Sequence, residues 1–292
     1  MLLPDSARNR LTGIAVASFA YLCFALLDST AKWLVQSLPV LQIVWLRFLG
    51  HLLLMLTLAV TRGGGLRLAG VRRPGLQFLR AMMMLSMTGL NFWALRYLQL
   101  AETGSVQFTV PILVALFGAW LLGERLDAAR WAAVLAGFAG VLLIMRPGTQ
   151  GFHPAIVLSI GNAVVYALFT LLTRKLAATE PPEATNLLSA SGAVVLLAPF
   201  ALGVWQTPTT GLQWAAIAVT GCAGGLGHLM LAHAFRYAQA STIAPFMYQQ
   251  MLYMMLLGYL IFDDVPGLPV LAGAGVVVAS GLFLILRERR TG

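Results

Sequence analysis

Two charged side chains of opposite sign stand inside long apolar segments of this sequence. Asp28 and Arg47 have apolar neighbours on both sides, and Lys32 follows Asp28 at a spacing that places both on one helical face. Charged residues within a bilayer are costly, and those that persist commonly mark a substrate or ion pathway. Asp28 could bind an amine, and the planar fork of Arg47 could bind both oxygens of a carboxylate. The same residues could instead form a structural ion pair, with Lys32 extended towards the membrane surface.

Two histidines lie in similar apolar surroundings. His51 follows Arg47 by about one helical turn, and His228 stands within the glycine-rich stretch 224–228. Histidine titrates near neutral pH, so His51, His228 and the carboxyl group of Asp28 are candidates for proton coupling. A lone histidine in an apolar helix is also often a hydrogen-bonded packing residue, and that alternative stays open.

Sequence motifs for enzyme chemistry are missing. The chain has no GxxxxGK[ST] phosphate loop and no HExxH or CxxC spacing for a metal. Its methionine groups, such as Met82–Met84, are more typical of adaptable packing than of a metal site. We therefore expect no enzymatic activity, no cofactor and no metal.

Composition indicates the surroundings in which these residues must work. Of the 292 residues, 59% are hydrophobic and only 10% are charged, whereas a soluble domain is about half apolar and about a quarter charged. That balance excludes an ordinary soluble enzyme and a disordered chain, and two cysteines are too few for a disulfide scaffold. The apolar stretches are continuous rather than alternating, which disfavours a transmembrane β-barrel. We predict an all-α polytopic membrane protein, with the lipid bilayer as a partner.

Ten apolar segments are long enough to cross a bilayer, which requires about 20 residues each. Clusters of proline, glycine and polar residues separate most of them. The separations at 99–101 and 238–240 are the weakest, since they leave almost no loop. The predicted spans, numbered 1 to 10, are 11–34, 38–60, 75–97, 101–122, 128–146, 153–173, 184–204, 212–234, 241–262 and 268–286.

Basic residues concentrate at one set of span ends. With the N-terminus inside, most of the 19 lysine and arginine residues, Arg80 among them, fall at cytoplasmic ends. The positive-inside rule therefore predicts that both termini are cytoplasmic, and an even number of spans agrees with that orientation. This placement explains the net charge of +9 without nucleic acid as a partner.

The chain contains an internal repeat. The segment 96–99 reads Arg-Tyr-Leu-Gln, and the segment 236–239, about 140 residues further along, reads Arg-Tyr-Ala-Gln. Any two apolar helices look somewhat alike, but the shared arginine, tyrosine and glutamine favour a true repeat. Because one copy holds five spans, the second copy enters the membrane from the opposite side, as in many transporters. We predict ten transmembrane helices as two inverted five-helix repeats, in residues 1–147 and 148–292.

Motifs in the first copy are similar to a known repeat. Pro111 in span 4, the sequence Leu-Gly-Glu at 122–124 and the glycine-rich span 5 resemble the EamA repeat of the drug/metabolite transporter superfamily. The second copy departs from that pattern, with Asp264 in place of the glutamate and Pro245 ahead of the matching proline position. The charged residues of spans 1 and 2 resemble a bacterial subgroup often labelled as S-adenosylmethionine-type or amino-acid-metabolite transporters.

The resemblance implies a ten-helix secondary transporter whose spans 3, 4, 8 and 9 line a central cavity. Polar and aromatic side chains there could bind an amino-acid-like ligand, although tryptophan and tyrosine are also enriched at membrane interfaces. Pro111 and Pro245 each remove a backbone hydrogen bond and could act as hinges. The substrate-binding residues predicted beside Asp28, Lys32 and Arg47 are Asn91, Trp93, Thr109, Tyr248, Gln249 and Tyr253.

The sequence thus predicts a secondary active transporter in a bacterial inner membrane. Its expected substrate is a small polar metabolite, an amino acid or amino-acid-derived zwitterion, moved by alternating access, with export as the favoured direction. Coupling to protons and exchange are both compatible with the residues. Uptake of S-adenosylmethionine or a vitamin-like compound is the nearest alternative, and a passive channel or a membrane-embedded enzyme belongs to a different class. Monomer and homodimer are both open.

Overall fold

The computed structural model describes residues 6–61, 72–122, 128–145, 153–177, 179–237, 246–247 and 249–291. These ranges contain α-helices, short turns and no β-strand, as the continuous apolar segments predict. The helices are α1 (Ala7–Leu34), α2 (Val40–Thr61), α3 (Pro74–Leu95), α4 (Leu100–Gln107), α5 (Val110–Leu122), α6 (Ala128–Met145), α7 (Ile156–Ala177), α8 (Pro182–Gly203), α9 (Gly211–Tyr237), α10 (Gln249–Phe262) and α11 (Leu268–Thr291).

Helix length and apolar character make this a multi-pass membrane protein. Six of the described helical segments are long and apolar enough to cross a membrane, and shorter apolar helices accompany them in α6, α10 and α11. Helices α4 and α5 together occupy predicted span 4, so these helices form ten crossings. Large apolar side chains such as Phe78, Trp120 and Phe200 are exposed on the outside of the bundle, which suits contact with lipid.

Predicted span 4 is interrupted where the sequence places a proline. Pro111 has no backbone N–H, so the carbonyl group four residues earlier cannot accept the usual helical hydrogen bond. The chain tightens just before the proline, where Phe108 N and Thr109 N donate to carbonyl oxygens three residues earlier, at 3.3 Å and 3.0 Å. The expected continuous helix is therefore two helices, α4 and α5, with the break at the position that Pro111 predicts.

The first half of the fold, α1–α6, contacts the second half, α7–α11, in a pattern that is symmetric on exchange of the halves. α1 packs on α9, and its counterpart α7 packs on α3. α2 packs on α9 as α8 packs on α3, and α1 packs on α10 as α7 packs on α5. α6 packs on α11, its own counterpart in the other half. The architecture is two five-span repeats of inverted orientation, as the odd number of spans in each copy predicts.

Glycines bring two helix pairs into backbone contact across the halves. A Cβ atom built on Gly140 of α6 would lie 2.8 Å from the carbonyl oxygen of Gly273 on α11. A Cβ atom on Gly50 of α2 would lie 2.9 Å from the Cα atom of Gly221 on α9. Close approach matters in lipid because van der Waals packing, rather than expulsion of water, holds membrane helices together. These glycines therefore set the distance between the repeats.

Replacement of Gly140 by valine is expected to force α6 and α11 apart and to lower the free energy of unfolding by about 1–3 kcal/mol, a common cost of overpacking. Thermal unfolding of the purified protein in detergent, followed by tryptophan fluorescence, measures the effect. Gly275→Val on α11 is the matched control, because nothing lies within 4 Å of a Cβ atom at that position. Equal stability of the two variants would contradict a close contact between α6 and α11.

Candidate functional site

A cavity of about 70 Å³ lies where the two repeats meet. Its wall comes from α1 to α4 in the first half and from α7, α9 and α10 in the second, so a ligand there contacts both repeats. The wall combines aromatic rings with a few convergent polar groups, the usual make-up of a small-molecule site. The lining residues are Phe24, Leu27, Asp28, Arg47, Met87, Thr88, Asn91, Phe92, Gln107, Phe108, Asn162, Tyr166, His228, Met247 and Gln250.

Asp28 is oriented by a hydrogen bond between two helices of the first repeat. The residue is 6% exposed, and its Oδ1 atom accepts a hydrogen bond of 2.7 Å from Nδ2 of Asn91 on α3. This bond fixes the carboxyl group at the cavity wall. Asn91, predicted as a substrate-binding residue, therefore lines the cavity and also positions Asp28.

Arg47 reaches the same cavity from α2. It is only 1% exposed, and its Nε and Nη1 atoms have no hydrogen-bond partner among the described residues. Its guanidinium group lies over the ring of Phe48, with 4.2 Å between Cζ and the ring centroid. Asp28 is near enough to attract it electrostatically. Because buried charged donors without partners are costly, this geometry favours an anionic group of a ligand at Arg47.

The two histidines predicted as proton-coupling residues meet beside the cavity. The rings of His51 and His228 are stacked, with an interplanar angle of 8° and 6.3 Å between centroids. His228 lines the cavity and contacts the ring of Phe24, at 4.9 Å between centroids. His51 is fully buried, and neither of its ring nitrogens has a partner in the described part of the chain. The polar face of α2 thus continues from Arg47 to His51.

Lys32 pairs with Asp264, in the loop between α10 and α11, and not with Asp28 one turn away. Its Nζ atom also donates to the carbonyl oxygen of Leu98 at 3.3 Å and lies 4.8 Å from the centroid of the Phe262 ring. The long side chain extends from the end of α1 towards the membrane surface, where this loop meets it. Lys32, predicted as a substrate-binding residue, is thus outside the cavity wall.

Three other predicted residues also have side chains away from the cavity wall. Trp93 is 43% exposed on the outside of the bundle, and Tyr253 packs against the hydrophobic core. Thr109 donates its hydroxyl to the carbonyl oxygen of Val106 at 2.8 Å, within the α4–α5 break. Trp93 and Tyr253 share helices with cavity residues but occupy other faces of those helices, and Thr109 follows the cavity residue Phe108 in the break.

The start of α10 and the residues just before it contribute two side chains to the cavity wall. Met247 and Gln250 line the cavity. Gln249 is beside them, and its Oε1 atom is buried with no partner in the residues described. Tyr248, predicted as a substrate-binding residue, and Pro245, predicted as a hinge, lie outside the described residues.

Aromatic side chains that the sequence analysis did not select form much of the wall. Phe24 lies one turn before Asp28, and Phe92 is adjacent to Asn91. Phe24 precedes Asp28 by four residues, which places both on one face of α1, and this spacing could have identified Phe24 as a cavity residue. Phe108, at the α4–α5 break, also lines the cavity. The site is therefore more aromatic than its predicted residues indicated.

Arg80 is buried in the bundle, although the sequence analysis counted it with the basic residues at the span ends. It is 2% exposed, and its guanidinium group stacks on the ring of Phe169 at 4.5 Å. Its Nε atom donates to Thr173 Oγ1 at 2.9 Å, and its Nη1 atom donates to Ser189 Oγ at 2.6 Å. Neutral oxygens of α7 and α8 thus solvate this arginine, which ties α3 to the second repeat.

Comparison with known proteins agrees with this architecture. The EamA-like transporter family matches residues 11–146 and 153–287, one match in each repeat. The chain is 25% identical to an S-adenosylmethionine uptake transporter of Rickettsia felis, over 99% of this chain and 97% of that protein. It is 27% identical to a riboflavin transporter of Vibrio cholerae, over 93% and 92% of the two chains. It is 25% identical to the pseudopaline exporter CntI of Pseudomonas aeruginosa, over 94% and 95%.

A solved crystal structure shares the fold, with a TM-score of 0.67 and 22% sequence identity over 98% of this chain and 99% of that chain. The three named relatives are transporters of small molecules and are not named as enzymes. The family matches cover both repeats and leave only short segments outside them. This chain is therefore a multi-pass membrane transporter of a small metabolite, and it belongs to the EamA-like transporter family.

Proposed function

We propose that this protein is a secondary active transporter of an amino acid or an amino-acid-derived zwitterion, and that it exports this substrate across a bacterial inner membrane. It works by alternating access, driven by a proton gradient or by exchange. Both termini lie in the cytoplasm, because the basic residues of the sequence gather at the span ends on that side. The relative named as an exporter supports the direction.

The proposal rests mainly on the presence of an acid, Asp28, and a guanidinium group, that of Arg47, at one cavity. Two hydrogen-bond donors of the guanidinium group have no partner among the described residues. Asp28 attracts the ammonium group of a zwitterion, and Arg47 binds its carboxylate. Asn91 keeps the acid oriented, so the two charges are presented before the ligand arrives. A solute without an anionic group would leave the Nε and Nη1 donors of Arg47 buried and unsatisfied.

Uptake of S-adenosylmethionine or a vitamin-like compound is the second candidate, and two observations favour it. Relatives are named as S-adenosylmethionine uptake and riboflavin transporters. Phe24, Phe92 and Phe108 give the cavity an aromatic wall on which a heterocycle could stack. S-adenosylmethionine also carries an α-amino group and a carboxylate, so it would use Asp28 and Arg47 in the same way. The two candidates differ in direction and in what the aromatic wall accommodates.

Alternating access requires contacts that close one side of the cavity at a time. The Lys32–Asp264 ion pair joins the end of α1 to the α10–α11 loop, and the Leu98 carbonyl connects the same ammonium group to the α3–α4 turn. This pair thus links both repeats at the face of the membrane away from the chain ends. Breaking it would free α1 to move relative to α10 and open the cavity towards that face.

Counterflow of radiolabelled compounds into proteoliposomes tests the transport class. Amino acids, S-adenosylmethionine and riboflavin are screened, with protein-free liposomes as the control. Saturable counterflow of an amino acid is expected, whereas flux that does not saturate would indicate a channel and contradict the proposal. Stimulation by an imposed pH gradient that disappears in Asp28→Asn would identify proton coupling. A rate that is unaffected by the gradient would identify exchange.

Arg47→Gln is expected to raise the half-saturation concentration of a carboxylate substrate about 10- to 100-fold, because it removes charged hydrogen bonds worth about 1.5–3 kcal/mol. Arg47→Lys should have a smaller effect, since it keeps the charge but loses the planar fork. Initial counterflow rates over a range of substrate concentrations measure both variants, and thermal unfolding checks that each is folded. Unchanged half-saturation in a folded Arg47→Gln protein would show that Arg47 does not bind the carboxylate.

Lys32→Met is expected to increase access to the cavity from the face away from the chain ends. A reporter cysteine, Thr88→Cys in the cavity wall, is introduced into a Cys23→Ala/Cys222→Ala protein and labelled with a membrane-impermeant maleimide from that face. Faster labelling is expected in Lys32→Met and in Asp264→Asn. Gln36→Ala is the control, because it removes two neutral hydrogen bonds at the same end of α1, to the carbonyl oxygens of Lys32 and Arg96, and leaves the Lys32–Asp264 ion pair in place. Equal labelling rates in all variants would contradict a gating role for the ion pair.

A further inference from the structure

We infer that Gly224 on α9 is a positioning residue for the carboxylate of the substrate, because its missing side chain leaves the space that the guanidinium group of Arg47 occupies. This inference rests on the proposed function of Arg47. A Cβ atom at position 224 would lie 3.0 Å from Nε and 3.2 Å from Nη2 of Arg47, and 2.9 Å from Cδ1 of Leu27. These contacts are too tight for an added methyl group, so both the Leu27 side chain and the guanidinium group would have to shift.

The surrounding helices prevent an easy compensation by the backbone. Gly50 of α2 and Gly221 of α9 are already in backbone contact, about one turn from Arg47 and Gly224. Helix α9 also packs on α1, so it cannot move away from α2 without disturbing a second interface. The strain of an added methyl group therefore falls on the side chains of Leu27 and Arg47, both of which line the cavity.

The adjacent glycine supports a different side chain of α2. A Cβ atom at position 225 would lie 2.9 Å from Cδ2 of His51 and 2.9 Å from Cδ2 of Leu54. Gly224 thus provides space for the guanidinium group of Arg47, and Gly225 provides space for the imidazole ring of His51. An alanine at either position overpacks the interface between α9 and α2, and an alanine at 224 also presses on Leu27 of α1, but only the latter displaces Arg47.

Displacement of Arg47 should change the preference between substrates rather than weaken all of them. The carboxylate loses well-placed donors, whereas an amine at Asp28 is held by groups that Gly224 does not contact. A role limited to packing would weaken acids and amines together. The ratio of affinities for an acid and its decarboxylated amine therefore separates positioning from packing.

The experiment measures binding to the purified full-length protein by thermal stabilisation. The probes are two matched pairs: L-methionine with its decarboxylated amine, and S-adenosylmethionine with its decarboxylated form. Gly224→Ala is expected to weaken binding of the acid about tenfold, the loss expected from one charge-assisted hydrogen bond, and to leave the amine unchanged. Gly225→Ala is expected to preserve the ratio between acid and amine, and Gly275→Ala, in open space on α11, should match the parent protein.

A double variant keeps the test decisive. In an Arg47→Gln protein, adding Gly224→Ala should not change the ratio further, because the guanidinium group is already gone. If Gly224→Ala alone fails to fold, Arg47→Gln together with Leu27→Ala should restore folding by removing both close contacts, and no recovery would overturn the inference. Equal ratios for Gly224→Ala and Gly225→Ala would also overturn it. Should Arg47→Gln itself leave the acid preference intact, or no probe bind the parent protein, the proposed function fails instead.

Discussion

Burial of charge in a bilayer is the constraint on which this cavity depends, because each buried ion needs a partner that water cannot supply. Arg80 is solvated by hydroxyl groups of α7 and α8, Lys32 by Asp264, and Asp28 by the amide of Asn91. Arg47 differs from these three, since two of its donors have no partner among the described residues. The fold thus satisfies its buried charges where they stabilise structure and leaves donors available where a ligand can reach them.

The same absence of water explains why small residues, rather than large apolar ones, control the contacts between repeats. Lipid tails are as apolar as leucine, so membrane helices gain little from burying large side chains against each other. The helices gain van der Waals attraction from close backbone packing instead. They do so where Gly140 meets Gly273 and where Gly50 meets Gly221. The cavity lies next to the α4–α5 break, where Phe108 lines it and where Pro111 has already cost the backbone a hydrogen bond.

The sequence was sufficient to predict the ten crossings, the repeat and the burial of Asp28 and Arg47, because all of these depend on local spacing and composition. It did not identify the partner of Lys32, since helical spacing indicates Asp28 while the partner in space is 232 positions away. Nor did it place the side chain of Trp93, which is exposed on the outside of the bundle. A residue's helix can be predicted, but the face that meets the cavity depends on tertiary packing. Arg80 was predicted to lie at a span end. The oxygen atoms that solvate it belong to the second repeat, so the local sequence around Arg80 does not reveal them.

Relatives with this fold are named for S-adenosylmethionine, riboflavin and pseudopaline, so the architecture alone does not determine the substrate. The discriminating features must be side chains at the cavity, and in this chain they divide into two groups. In the proposed function, Asp28 and Arg47 select for paired opposite charges, whereas the aromatic wall selects only for size and apolar surface. Specificity is strongest where a mismatch leaves a buried polar group unpaired. Under the proposed function, the guanidinium group of Arg47 is therefore the stronger determinant, and it favours a substrate with a carboxylate.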